Sequence, residues 1–242
     1  MYVIAIPVLI AVAIIFRENF EAIQKGHRFR SKKEFVNLIK KMESSFPKQY
    51  PEYWKLLRNS GKRHLDRILK EDQSDLRPMS LLFVAFEESA NLVDCYLENV
   101  GKAYTGFPYK TIDSHEFTGS ASRRLLDEEI KSSLSSRQKL VIIKNLQRLS
   151  FDAAQLFMTY ADEHNDVHNY PQSVIFMSAI LPFPSSNDRK TDEQQVSKFF
   201  VDETWGTQDT MDNKAALWSR VGDGVVIIRN EFDNPCEKKT TN

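Results

Sequence analysis

Apolar positions change their spacing along this chain, and the changes divide it into segments. Tyr2 to Phe16 is an unbroken apolar run without a charge, YVIAIPVLIAVAIIF. At a helical rise of ~1.5 Å per residue it spans roughly 22 Å, short of the ~30 Å hydrocarbon core of a bilayer. No basic residue precedes it, and its small-x-small triplet, Ala11-Val12-Ala13, lies inside the run. An uncleaved membrane anchor fits these features better than a cleaved signal peptide. Lys25, Arg28, Arg30, Lys32 and Lys33 follow closely, and the positive-inside bias puts such a flank in the cytoplasm.

From residue 17 to 77 the chain is charged and helical in spacing. Phe35, Leu38, Ile39 and Met42 share one helix face. Phe46-Pro47 and Tyr50-Pro51 interrupt it, because the residue before proline is pushed out of the helical region. A second amphipathic helix is predicted over Tyr53–Leu69, with Trp54, Leu57, His64, Leu65 and Ile68 on its face. Beyond Pro78 the pattern becomes one of short apolar runs alternating with amphipathic stretches. Strands are predicted at Met79–Phe86, Lys139–Ile143, Ser173–Ile180 and Gly224–Ile228, with a weaker one at Tyr109–Ile112. Helices are predicted at Ser89–Tyr104, Ala121–Leu134, Asp152–Glu163, Asp192–Trp205 and Lys214–Val221. Continuous apolar strands are buried on both faces, and their alternation with helices means βαβ units around a mostly parallel sheet. The fold class is α/β.

Composition adds limits. The 242 residues are 41% hydrophobic, enough for one ordinary core plus an appendage. Lys+Arg and Asp+Glu both total 33, leaving no net charge, so nothing points to nucleic acid, whose phosphates need a concentrated basic face. The two cysteines, Cys95 and Cys236, form no CxxC and sit near no histidine cluster, which argues against zinc or a redox motif. They are either unrelated thiols or one long-range disulfide, which requires an oxidising compartment.

Nucleotide chemistry fails on two counts. A phosphate loop needs G-x-x-x-x-G-K-[ST] after a strand, yet the first strand runs into Phe86-Glu87-Glu88-Ser89-Ala90-Asn91, with no glycine or lysine and two carboxylates. The strand Leu140-Val141-Ile142-Ile143 ends in Lys144-Asn145, not in an acid that organises Mg²⁺ and water. Glu163-His164-Asn165-Asp166-Val167-His168 reads as a solvated loop, not as a metal site, and His27, His64 and His115 are isolated. Trp54 and Trp205 are expected in the core or at helix ends. No metal, nucleotide or other cofactor is expected.

Several segments, in order, are similar to a known family. Phe46-Pro47 followed by Trp54 and a basic helix, the strand Leu81–Ala85, and Cys95 in the next helix come first. Leu140–Leu146, Leu156–Asp162 and Val174–Leu181 follow. The likeness is tightest at Asp212-Asn213-Lys214 and Leu217-Trp218-Ser219-Arg220, and a cysteine closes it near the carboxyl terminus. Over roughly residues 46 to 236 the chain resembles the luminal domain of the lamina-associated polypeptide 1 family, the torsin-interacting membrane proteins.

The resemblance implies a degenerate AAA+-like domain that binds no nucleotide and docks beside an ATP-bound torsin subunit. It implies that Arg220 is an arginine finger given in trans, with Trp218, Ser219 and Lys214 binding the partner. It pairs Cys95 with Cys236 and places the domain in the lumen of the endoplasmic reticulum or the perinuclear space, against the basic flank. The organisation expected is an anchor at 1–16, a charged helical linker at 17–45, the domain at 46–236 and a polar tail at 237–242. Nuclear-envelope members carry a long nucleoplasmic region before the span, which has no counterpart in this sequence, so lamin and chromatin binding are not carried over. On spacing alone Arg220 is a helix-end arginine, worth ~0.3–1 kcal/mol against the helix dipole. The competing expectation is a scaffold that binds a partner without catalytic effect.

Overall fold

Strand β1 (Met79–Phe86) pairs in parallel with β4 (Val174–Leu181) on one side and β5 (Val225–Ile228) on the other. Its central place follows from its sequence: seven of its eight residues are buried, as a strand covered on both faces requires. β3 (Leu140–Lys144) continues the sheet beside β4, and β2 (Lys110–Asp113) forms the edge, giving the parallel order β2-β3-β4-β1-β5. β2 carries two exposed residues, which explains its weak apolar signal. The computed structural model describes residues 29–69, 77–106, 108–135, 139–160, 170–205, 210–233 and 235–236. Residues 2–16, the expected anchor, lie outside them. Among the described residues no helix is long and apolar enough to cross a membrane.

Two amino-terminal helices come before the sheet. Helix α1 (Lys32–Ser45) starts at a capping box in which Ser31 Oγ accepts from the Glu34 amide and Glu34 Oε2 accepts from the Ser31 amide, satisfying two otherwise orphaned donors. Phe35, Ile39 and Met42 are buried, and α1 packs on α2 (Pro51–Leu69) and α3 (Val93–Tyr104). The packed unit therefore extends back past residue 46: most of the expected 17–45 linker that is described is core helix. Tyr96 of α3 gathers Phe46, Trp54 and Phe83 with ring centroids 5.0, 5.6 and 6.1 Å away. Tyr104 does the same for Phe29, Phe35 and Phe176.

Several predicted helices are shorter or broken. Ser89–Tyr104 divides into a 3₁₀ turn, Glu87–Leu92, and α3. Helix α4 (Ser122–Ser135) lies one residue beyond its expected span. Asp152–Glu163 becomes two short helices, α5 (Phe151–Ala154) and α6 (Leu156–Tyr160). Its last residues, and the His164–His168 loop, lie outside the described residues. Asp192–Trp205 becomes α7 (Arg189–Lys198), running into a π turn, Phe199–Thr204. Trp205 and Trp54 are both buried.

Candidate functional site

The carboxyl end of β1 is where a parallel sheet of this kind holds phosphate. Here side chains cross-link the turns at that end. Ser89 Oγ donates to the Ile228 carbonyl at 2.7 Å and accepts from the Phe86 amide at 3.2 Å, tying the turn after β1 to the end of β5. Glu88 accepts the Ser185 amide at 3.1 Å. Buried Glu231 accepts the Lys48 amide and, at 2.8 Å, the Gln49 side chain. The Ser185 and Lys48 amides beside this end therefore point at the carboxylates of Glu88 and Glu231. A cleft of about 370 Å³ remains there, with Lys48 and Arg229 facing Glu88, but Arg229 is laid over the Tyr50 ring at 4.6 Å. At the end of β3, Lys144 is paired with Asp94 at 2.7 Å, and Asn145 takes the left-handed conformation (φ 59°) while donating to Asp113 at 3.0 Å.

The opposite, amino edge of the sheet carries Arg220. Helix α8 (Met211–Val221) immediately precedes β5. It begins a turn before Lys214 because Thr210 caps it, accepting from the Asn213 amide; Met211, Asp212 and Asn213 are exposed, so no apolar periodicity marked that turn. Leu217 and Val221 anchor the helix in the core. Trp218 stacks on Phe200 with centroids 5.7 Å apart at 22°. Gly222 seats the same ring: a Cβ there would stand 2.5 Å from it. Trp218 is held, and the helix end with it. Ser219 Oγ donates to the Ala216 carbonyl at 2.7 Å, and Arg220 reaches Ser219 Oγ at 3.5 Å.

Arg220 is exposed and lines an open cleft of about 650 Å³ with Ser219, Asp223 and the start of β1. Across it stand Arg63, His64 and Arg67 of α2. His64 is buried, with Nδ1 against the Tyr104 hydroxyl, and burial lowers its pKa to about 4 despite nearby backbone carbonyls. It is neutral at pH 7, so among the described residues the charge of the cleft lining comes from the arginines and Asp223. On the other side of α8 a groove of about 380 Å³ is lined by Glu52, Glu193, Arg189, Trp218 and Asp223. Of the residues expected to meet a partner, Trp218, Ser219 and Arg220 therefore share one helix end. Lys214 does not join them. It is 3% exposed and engaged within the chain, because its position on α8 faces inward with Leu217 and Val221. In the sequence Arg63 and Arg67 stand out only as part of a basic helix, with their i, i+4 spacing as the signal.

Cys95 on α3 and Cys236 beyond β5 are joined by a disulfide, with Cα atoms 6.0 Å apart and 141 positions of sequence between them. It fixes the chain after β5 onto α3. Among the described residues no cluster of histidine, cysteine and acidic side chains is arranged to hold a metal.

Five parallel strands in the order β2-β3-β4-β1-β5, with helices packed against them, define an α/β domain. The chain belongs to the family described as lamina-associated polypeptide 1, AAA+ activator domain, which it matches over residues 19–235. It is 22% identical over 214 residues to Torsin-1A-interacting protein 1 of Rattus norvegicus, covering 82% of this chain and 36% of that protein. The Mus musculus protein of the same name is also 22% identical, with 82% of this chain and 35% of that protein covered. The chain thus spans about a third of the length of these relatives. Among solved structures, a closed-state reconstruction of Hsp104 with ATPγS and FITC casein aligns with TM-score 0.45 and 11% identity, over 81% of this chain and 34% of that one. The DnaC helicase loader aligns with TM-score 0.36 and 14% identity, over 74% of this chain and 100% of the loader.

Proposed function

We propose that this chain is a membrane-anchored, non-enzymatic activator of a torsin-type AAA+ ATPase, and that it supplies Arg220 in trans to the partner's ATP-bound subunit. One observation carries the reading: Arg220 and the turn after β1 lie at opposite ends of the same strands. Arg220 lines a cleft with Met79 at the start of β1, while Glu88 follows its end. The steps from the first to the last of eight strand residues, at ~3.3 Å per step, separate them by roughly 23 Å. No arginine side chain crosses that distance, so this arginine serves a triphosphate only if another subunit presents one. A guanidinium is permanently charged and matches phosphate geometry, and a finger given in trans is worth roughly 10³–10⁵ in turnover.

Family membership supports torsin as the partner. The disulfide supports an oxidising compartment, hence a domain in the lumen of the endoplasmic reticulum or the perinuclear space, anchored through residues 2–16. Digestion of sealed microsomes leaves the domain intact on this reading and degrades it if it is cytoplasmic.

The functional test is to add the chain to a torsin and follow ATP hydrolysis, with calorimetry of ATP against the chain alone. Stimulated turnover without measurable ATP binding is the expected result. Binding of the torsin with unchanged turnover would make the chain a scaffold. ATP binding by the chain itself would make it an NTPase.

A further inference from the structure

The cleft that holds Arg220 contains more cationic charge than one finger requires. Ser60, Arg63 and Arg67 follow one face of α2 at i, i+3 and i+7, and two of the three are arginines directed to the same open cleft as Arg220. Among the described residues, Asp223 is the acidic residue of that lining. Ser80 Oγ, also in the cleft lining, is buried without a partner among the described residues. Across α8 the neighbouring groove has the opposite character, with Glu52, Glu193 and Asp223 against Arg189. The helix end therefore separates a cationic cleft from an acidic groove.

Resting on the activator reading above, we propose that the Arg63–Arg67 cleft is a docking seat for an acidic surface of the ATPase subunit beside its bound triphosphate, and that these two arginines steer and orient the subunit so that Arg220 arrives in register. Arg63 and Arg67 are positioning residues, and Arg220 alone reaches the reacting phosphate. A cleft open to solvent and lined by one dominant sign of charge raises the encounter rate of an oppositely charged surface by 10–10³, and that gain falls with salt. The acidic groove on the other side of α8 repels the same surface, so the partner is held to one orientation.

The experiment measures association of the full chain with an ATP-bound torsin, by stopped flow at low and high salt, together with stimulated turnover at saturation. Arg63→Ala/Arg67→Ala is expected to slow association roughly tenfold at low salt, to flatten its salt dependence, and to lower stimulated turnover at saturation, because Arg220 no longer arrives in register. Arg63→Lys/Arg67→Lys is expected to restore the rate, because steering needs a charge and not a planar fork. Arg67 is half-buried, so the exposed single variant Arg63→Ala is measured as well, with a slowing of about threefold expected. An unchanged rate in Arg63→Ala and in the folded double variant, or a lysine pair that fails to restore it, overturns the proposal. Arg220→Lys separates the two readings: it should associate normally but lose stimulation. If it still stimulates, the activator reading falls; if it loses stimulation while the Arg63 and Arg67 variants associate normally, only the docking seat falls.

Discussion

His64 shows how burial sets the chemistry of a single side chain. It packs between α2 and α3 with Nδ1 against the Tyr104 hydroxyl, and burial lowers its pKa from 6.5 to about 4. The folded protein therefore holds this ring neutral where the unfolded chain protonates it. Stability from the group is full above about pH 6.5 and is lost as pH falls toward 4, by roughly 3 kcal/mol at ~1.36 kcal/mol per unit. Chemical denaturation at pH 7 and at pH 4.5 is expected to show a smaller difference for His64→Gln than for the wild type; equal differences would mean the ring is not held neutral by the fold. Sequence could place His64 on a helix face but not choose between core and surface, since its partner Tyr104 lies 40 positions away. Lys214 is the converse case: its type suggested a surface and its helical position buries it.

Elements differ in how they can be read. β1 and β4 have continuous apolar runs, and the pattern alone identifies them to within a residue. Helices were harder where a tertiary contact overrides periodicity. The break between α5 and α6, and the π turn after α7, leave the apolar sequence pattern unchanged; Phe151 at the start of α5 and Phe200 in the π turn both meet Trp205, with centroids 6.2 and 5.1 Å away. The end of α8 depends on a contact of the same kind. Gly222 closes the helix with its amide bonded to the Trp218 carbonyl at 2.6 Å, and it has no room for a Cβ because the Trp218 ring occupies that place. Gly222→Ala is expected to displace the ring at a cost of about 1–3 kcal/mol, lowering the melting temperature by roughly 2–4 °C per kcal/mol. Stimulation of the partner should fall with it, because Arg220 sits on the same turn. An alanine variant that melts and stimulates like the wild type would show that the Trp218 contact does not set this helix end.

For the whole molecule, the central fact is the separation of two edges of one sheet. At one end Ser89 ties the turn after β1 to β5, and Glu88 and Glu231 accept the Ser185 and Lys48 amides. The other presents Arg220 over a cationic cleft. The missing phosphate loop was legible from Glu87-Glu88 alone, since no glycine or lysine stands there. The distance between the edges was not, because it depends on the order of the strands and on α8 entering β5 from the amino side. Sequence also left out the extent of the unit, since α1 looks like a charged linker until Phe35 and Ile39 meet α2. The disulfide fastens the far end of the chain to α3 and so keeps the strand after α8 in place.

The central claim is that Arg220 acts in another subunit's active site, and one measurement addresses it directly. ATP turnover by a torsin is followed at saturating concentrations of wild-type chain and of Arg220→Ala, with complex formation monitored in the same samples. The account predicts that the variant still forms the complex but loses nearly all stimulation, on the scale of the roughly 10³-fold or greater effect of an arginine finger. Full stimulation by Arg220→Ala would contradict it.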